Sequence, residues 1–330
     1  MTGRRPRLGF LGTGWIGRHR MAAILEGGQV EAVAISDPSA EMLDQAAALA
    51  PGAARVDSLD AMLALELDGV VIATPSALHA EQSIQALERG AAVFCQKPLG
   101  RTAGEAEAVV AAARRADRLL DVDLSYRATA GMRRIREVIA GGELGHVFAV
   151  DLVFHNAYGP DKAWFYDPQL SGGGCVMDLG VHLVDLALWV LDFPEVTAVS
   201  GRLFSGGAVL RPEDGKVEDY ALATIELAGG TAVQLACSWK LPAGCDAVIG
   251  ASFYGTGGGA ALRNRDGSFY DFVAERYRGT SREVLAEPPD SWGGRAAANW
   301  AGRLAAGAGF DPAAERLVEV ARVLDRIYGR

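Results

Sequence analysis

The sequence predicts an α/β chain of two domains: a doubly wound parallel sheet, then an α+β domain on a large, mainly antiparallel sheet. Three observations predict it. The first third alternates short apolar runs with helical stretches, as repeated βα units do. After Asp123 that alternation stops, and a long apolar helix precedes several β-like runs joined by turns such as Ala228-Gly229-Gly230. The length of 330 residues suits two domains at roughly 150 residues each.

Taken in order, residues 7–12 form an apolar strand with a Gly-rich end, and residues 15–26 have helical spacing. A second strand over 30–36 exits at Asp37-Pro38, and an Ala-rich helix spans 40–50. Residues 69–73 (GVVIA) are apolar throughout, as in a strand buried on both faces. A helix over 78–89 and a strand over 91–95 follow. Thr102, with Glu105 three positions later, marks the start of a helix running to about 116, and 119–122 is one more strand. The first domain is therefore placed at 1–123 and the second at 124–330. In the second, a helix is predicted over 132–139, a strand over 147–154 and a long helix over 175–191. Strands are predicted over 196–204, 220–227, 231–239 and 247–254. Residues 287–303 lack periodicity. The final amphipathic helix, 313–328, is expected to pack back on the first domain.

Composition narrows the function. Half of the residues are hydrophobic and 22% are charged, which is ordinary for a globular protein with a full core. The net charge of −9 argues against a general nucleic-acid or anionic-membrane surface. Arg4-Arg5 before an apolar stretch resembles the start of an export signal, but no small-residue cleavage site follows. No apolar run is read as approaching the ~18 residues of a membrane span. The four cysteines form no CxxC pair or zinc-module spacing, which points to reduced thiols in a cytoplasmic protein. No HxH or HExxH spacing occurs, and no metal is expected.

Residues 12–17 read Gly-Thr-Gly-Trp-Ile-Gly, a GxGxxG sequence between the first strand and the first helix. That context makes it the fingerprint of a Rossmann dinucleotide-binding domain. Gly12 permits the tight turn, Gly14 lets a pyrophosphate approach the backbone, and Gly17 allows close helix–strand packing. Trp15 and Ile16 lie between, at the helix N-terminus, whose N–H groups suit phosphate. Asp37, 20 residues past Gly17, ends the second strand, where a carboxylate accepts ribose hydroxyls and repels a 2′-phosphate. NAD is favoured over NADP.

Four segments together resemble the Gfo/Idh/MocA oxidoreductases, the glucose–fructose oxidoreductase and inositol dehydrogenase superfamily. The fingerprint opens the series. Residues 73–79, with Thr74, Pro75, Ser76 and His79, resemble the family's TPNxxH loop. Gln96-Lys97-Pro98 resembles its EKP motif, and residues 172–182 (GGGCVMDLGVH) its GGGxxxDxGxH segment. Two positions depart: Gln96 stands for the usual Glu, and Ser76 for the usual Asn. The resemblance implies a cis Lys97–Pro98 bond and a cofactor site that includes Thr74, Pro75, Ser76, His79, Gln96 and Lys97. It also implies dimers or tetramers. Val233, Leu235 and Trp239 are read as exposed sheet residues that would drive such association.

Asp178, His182 and Asp185 fall at i, i+4 and i+7 of the long predicted helix, on one face of an otherwise apolar stretch. Ionisable groups there are costly unless paired or functional. Moving hydride from a secondary alcohol requires the hydroxyl proton to leave, so a base must reach it. His182 is the leading candidate, an unperturbed imidazole titrating at about 6.5. Asp178 could orient the ring, and Lys97 could stabilise charge on the substrate oxygen. The resemblance maps Lys, Asp and His catalytic roles onto Lys97, Asp178 and His182, with Asp185 accepting a substrate hydroxyl. Which of Lys97 and His182 transfers the proton stays open. Tyr126, Trp164, His155 and Asn156 are further candidate lining residues. The expected substrate is a small polyhydroxylated molecule such as a sugar or cyclitol. Two alternatives are an NAD-retaining enzyme that cleaves glycosides, and a non-catalytic dinucleotide or sugar sensor.

Overall fold

The computed structural model describes residues 4–330. The chain divides into two compact units, Met1–Asp123 with Gly294–Val318, and Leu124–Gly293 with Glu319–Arg330.

The first unit alternates β1 (Arg7–Leu11), α1 (Trp15–Glu26), β2 (Glu31–Ser36), α2 (Ala40–Leu49), β3 (Ala54–Arg55), α3 (Leu59–Leu63), β4 (Gly69–Ile72), α4 (Ser76–Glu88), β5 (Ala92–Cys95), α5 (Ala103–Ala116) and β6 (Leu120–Val122). The strands form one parallel sheet in the order β3-β2-β1-β4-β5-β6. Strand order reverses about β1, and a doubly wound sheet binds ligands at such a reversal, at the carboxyl ends of the strands. Every residue of β4 and β5 is buried, as their apolar runs require. Thr102 caps α5 by accepting from the Glu105 N–H at 3.2 Å.

The second unit holds α6 (Ala130–Ala140), β7 (Val147–Asn156), α7 (Pro168–Ser171), α8 (Val181–Val190), β8 (Val196–Ser205), β9 (Ala208–Val209), β10 (Tyr220–Leu227), β11 (Ala232–Ser238), β12 (Ala247–Gly255), β13 (Gly258–Asn264), β14 (Phe272–Arg278) and β15 (Ser281–Ala286). Nine strands make one sheet, β15-β14-β13-β12-β7-β11-β10-β8-β9. All pairs are antiparallel except β11 with β7. Burial alternates along β10, with Leu222, Thr224 and Glu226 outward. Val233, Leu235 and Trp239 point inward at 0%, 2% and 3% exposure, which corrects their reading as surface residues.

Two helices close the chain, α9 (Arg295–Ala305) and α10 (Arg316–Tyr328). The sequence pattern predicts no element for α9 and places its segment in the second domain. It packs instead in the first unit, where Ala297, Trp300 and Ala301 join the core of Leu8, Phe10, Ile24 and Phe94. Trp300 lies 5.8 Å from Phe94, ring to ring. The last helix begins in the first unit, but its end belongs to the second: Arg326 donates to the carbonyl oxygens of Val196 and Thr197.

Residues Pro168–Val190 are long and apolar enough to pass for a membrane span, contrary to the expectation that no such run exists. The most apolar window of that stretch is 89% buried within the protein, which makes it core.

Candidate active site

The glycine loop follows β1 directly. Gly12 has φ +83°, and a Cβ there would press on the Ala73 carbonyl oxygen, so only glycine fits. At Gly17 a Cβ would overlap the Gly12 carbonyl oxygen. Gly14 gives the start of α1 no side-chain cap, and its first turn holds no acidic residue. The helix N-terminus is left to an external anion. Trp15 is 60% exposed beside it. Asp37 accepts from the Thr13 N–H at 2.7 Å and the Ser39 N–H at 2.9 Å. It therefore braces the loop. The Thr13 hydroxyl oxygen is buried without a hydrogen-bond partner.

Two loops at the neighbouring strand ends are tied together by His79. Its Nδ1 lies 2.7 Å from the Pro98 carbonyl oxygen and its Nε2 2.7 Å from that of Thr74. The ring is buried, so desolvation lowers its pKa, while the two carbonyl contacts and Glu105 oppose the shift. A neutral ring carries one N–H and donates to one carbonyl at a time. His79 thus couples the loop of Thr74, Pro75 and Ser76 to that of Gln96 and Lys97. The Thr74 hydroxyl donates to Gln82 Oε1 at 2.6 Å, and Ser76 is buried at the start of α4. Lys97 is half-buried after β5 and forms the cis bond with Pro98.

In the second unit the segment 172–182 departs from a plain helix. Val176–Gly180 is a π-helical turn leading into α8. The three glycines before it are each required. Gly172 has φ +82°, a Cβ on Gly173 would overlap the Tyr328 hydroxyl, and one on Gly174 would overlap the Glu218 carbonyl oxygen. The buried Glu218 carboxylate accepts from the Gly174 N–H (2.9 Å), the Val176 N–H (2.9 Å) and the Tyr328 hydroxyl (2.8 Å). Desolvation raises its pKa against those hydrogen bonds. Neither Glu218 nor Tyr328 stood out in the sequence, because each is a lone residue far from the glycines.

The π turn aims Asp178, His182 and Asp185 at different partners. Asp178, half-buried, accepts from Trp239 Nε1 at 3.0 Å. His182 stacks edgewise on Tyr126, with ring centroids 4.9 Å apart. Tyr126 also meets Phe154, Phe272 and Trp292. Burial raises the pKa of its hydroxyl, and the Asp178 charge adds to the shift. Asp185 is 1% exposed, and both its oxygens pair with the Arg127 guanidinium, through Nε at 2.7 Å and through Nη2. Burial raises its pKa, and Arg127 pulls the other way. The expected role of Asp185 as a substrate acceptor does not fit a carboxylate so enclosed; it anchors α8 to the segment that carries Tyr126.

Trp164 stacks on Phe165 at 3.8 Å, and Phe165 and Tyr166 meet Trp239 edgewise. An aromatic row thus runs from Trp164 to the Asp178 partner. His155 stacks on Tyr220 and sits 2.7 Å from the Ser238 hydroxyl, and Asn156 accepts from the Tyr158 N–H, so both are committed within the sheet. Among the described residues no three His, Cys, Asp or Glu side chains are grouped to hold a metal ion.

Comparison with known proteins matches both units. The family described as oxidoreductases with an NAD-binding Rossmann fold matches residues 7–124, and the GFO/IDH/MocA C-terminal domain matches residues 132–261. The chain belongs to the Gfo/Idh/MocA oxidoreductase family. It is 31% identical over 247 residues to D-glucoside 3-dehydrogenase of Escherichia coli (strain K12), covering 71% of this chain and 70% of that one. It is 29% identical over 305 residues to inositol 2-dehydrogenase 4 of Saccharopolyspora erythraea, covering 88% and 86%. The solved structure of GenD2 from gentamicin A biosynthesis, in complex with NAD, superposes with a TM-score of 0.83 at 25% identity, covering 100% of this chain and 95% of that one. NAD, the family's cofactor, fits the first unit: the glycine cradle that a Cβ would fill, the uncapped α1 and the orphaned Thr13 hydroxyl suit its phosphates and ribose.

Proposed function

We propose that this oxidoreductase oxidises a ring secondary alcohol of a sugar, cyclitol or similar polyol, or reduces the matching ketone, with Lys97, Asp178 and His182 as its catalytic residues. The observation that carries the reading is the grouping of Asp178 on the π turn, His182 on α8 and Tyr126 against the His182 ring, backed by an aromatic row suited to sugar C–H faces. Relatives named for glucoside and inositol dehydrogenation support the substrate class.

NAD, when bound, accepts or returns the hydride. The chain supplies the rest. His182 takes the hydroxyl proton as the C–H bond breaks, and Tyr126 holds the imidazole plane through its ring edge. Asp178 stabilises the imidazolium; Trp239 fixes one of its oxygens. Lys97 donates to the substrate oxygen and stabilises its developing negative charge. In reduction the same groups return the proton to the ketone oxygen. On the cofactor side, the backbone N–H groups at the start of α1 would hold the pyrophosphate, and the Asp37 carboxylate would accept from the adenosine ribose. Trp15, Ile16, Thr74, Pro75, Ser76, His79 and Gln96 shape that site. Trp164 lines the substrate side. The enzyme is assigned to the cytoplasm, and the outward face of the second sheet, with Leu222 43% exposed, to a homodimer or homotetramer.

The test separates binding from chemistry. Lys97→Met, Asp178→Asn and His182→Ala are titrated with NAD by calorimetry and assayed for turnover on a panel of inositols and methyl glycosides. The expected result is NAD affinity within about threefold of wild type for the two second-unit variants, with turnover down by roughly 10²–10⁴. Full turnover in His182→Ala and Lys97→Met together would remove the proposed chemistry.

A further inference from the structure

The family motif places a carboxylate directly before its lysine, and here Gln96 stands there. The structure shows where a negative charge lies instead. β5 and β6 pair in parallel with Cys95 opposite Val122, so the next residues out, Gln96 and Asp123, emerge side by side. The Asp123 N–H donates to the Cys95 carbonyl oxygen at 2.9 Å, which holds that register to the end of the strands. Asp123 is 1% exposed. Its Oδ2 accepts from the Gln96 side-chain amide and from Arg20 Nε, the latter at 2.5 Å. Its Oδ1 is equally buried and has no hydrogen-bond partner.

Two features of this cluster call for an account. First, a glutamate at 96 and Asp123 would set two carboxylates against each other in a dry site, with Arg20 able to neutralise only one. Gln96 and Asp123 are therefore a matched pair, in which the amide can donate where a carboxylate would repel. Second, a buried carboxylate oxygen without a donor is costly, and such groups mark places where something else binds. Asp37 follows β2 on one side of β1, and Asp123 follows β6 on the far side in the sheet order. With the adenosine ribose at Asp37, the nicotinamide half of a dinucleotide spanning the switch point would extend toward β4, β5 and β6.

We propose that Asp123 carries the charge that the motif otherwise holds at position 96, and that its Oδ1 accepts from an O–H or N–H donor of the nicotinamide half of NAD. Arg20 pairs with the carboxylate, and Gln96 orients it. The charge sits one strand over from its usual place, beside the same lysine loop. The proposal rests on the NAD-dependent reading above.

The test uses Asp123→Asn, Gln96→Glu and the double variant Q96E/D123N. NAD affinity is measured by calorimetry, and apoprotein melting by scanning calorimetry. Asp123→Asn is expected to weaken NAD binding by about 10- to 100-fold, the worth of one charge-assisted hydrogen bond. Gln96→Glu alone is expected to lower both the melting temperature and the affinity. The double variant, with its one carboxylate now at 96, is expected to regain both to within about threefold of the wild-type affinity. If Asp123→Asn does not fold, folding and NAD binding by Q96E/D123N carry the test alone. The proposal is overturned if Asp123→Asn folds and binds NAD as wild type does. It is also overturned if the losses in the double variant simply add, or if the double variant fails to bind. A wild-type protein that does not bind NAD would overturn the underlying functional reading, whereas tight wild-type binding unchanged in Asp123→Asn overturns this inference alone.

Discussion

The Glu218 carboxylate lies 2.8 Å from the Tyr328 hydroxyl, so the last residues of α10 and the strand edge before β10 close on the same three glycines. The buried carboxylate replaces the missing cap of the π turn by accepting from Gly174 and Val176. That turn carries Asp178, which makes the geometry of the proposed catalytic group depend on a residue 40 positions downstream.

Glu218→Ala is expected to destabilise the protein by roughly 3 kcal/mol or more, because it leaves buried N–H groups without acceptors. Tyr328→Phe removes one hydrogen bond and is expected to cost about 1 kcal/mol. Denaturant unfolding of both variants checks the order. A Glu218→Ala protein as stable as wild type would contradict the capping role.

Gly174→Ala is expected to be more damaging than Gly172→Ala. The first overlaps backbone at the Glu218 carbonyl oxygen, which cannot swing aside as a side chain can, while the second strains a φ of +82°. A left-handed alanine costs about 1–2 kcal/mol. Soluble yield and melting temperature rank the two, and equal melting temperatures would count against the close approach at Gly174.

Trp239→Phe keeps the ring packing against Phe165 and Tyr166 but loses the N–H that holds Asp178. Turnover is expected to fall by about tenfold with little change in stability, the loss of one hydrogen bond to a charged group. Unchanged turnover would show that Asp178 needs no such anchor.

His79 makes stability depend on acid. Its folded pKa lies below the ordinary 6.5, so the unfolded chain takes up a proton first as pH falls. The stability it contributes is complete above about pH 6.5 and is lost as pH falls from there through the folded value. His19 and His155 are shifted the same way, by burial first, whereas Asp185 and Glu218 are raised and have the opposite sign. A His79→Gln variant isolates one contribution: its melting temperature is expected to fall less steeply than wild type below pH 6.5. Parallel curves would remove His79 as the source.

Much of this was legible in the sequence. The βα alternation gave the first sheet, because strands buried on both faces read as unbroken apolar runs such as GVVI at β4. The glycine fingerprint and the lysine loop lay at strand ends where the fold puts them. Other features were hidden. Helix α9 is Ala-rich and polar on its outer side, and only its docking through Trp300 reveals its place. The π turn has no periodic signature, so Asp178, His182 and Asp185 read as one stripe although Asp185 is taken by Arg127. Alternation in β11 showed one buried face, but not which one: Val233 and Leu235 turned out to lie inward. Glu218 and Asp123 act through contacts with residues distant in sequence, which no local pattern carries.

The most direct measurement is absorbance at 340 nm when the protein and NAD are mixed with each member of a panel of inositols, methyl glycosides and free sugars. At least one ring polyol is expected to produce NADH in equal amount to its ketone, and His182→Ala is expected to abolish the signal while still binding NAD. Cleavage of a glycoside with no NADH accumulating would contradict net oxidation, and tight NAD binding with no reaction across the panel would contradict the assignment of a ring alcohol substrate.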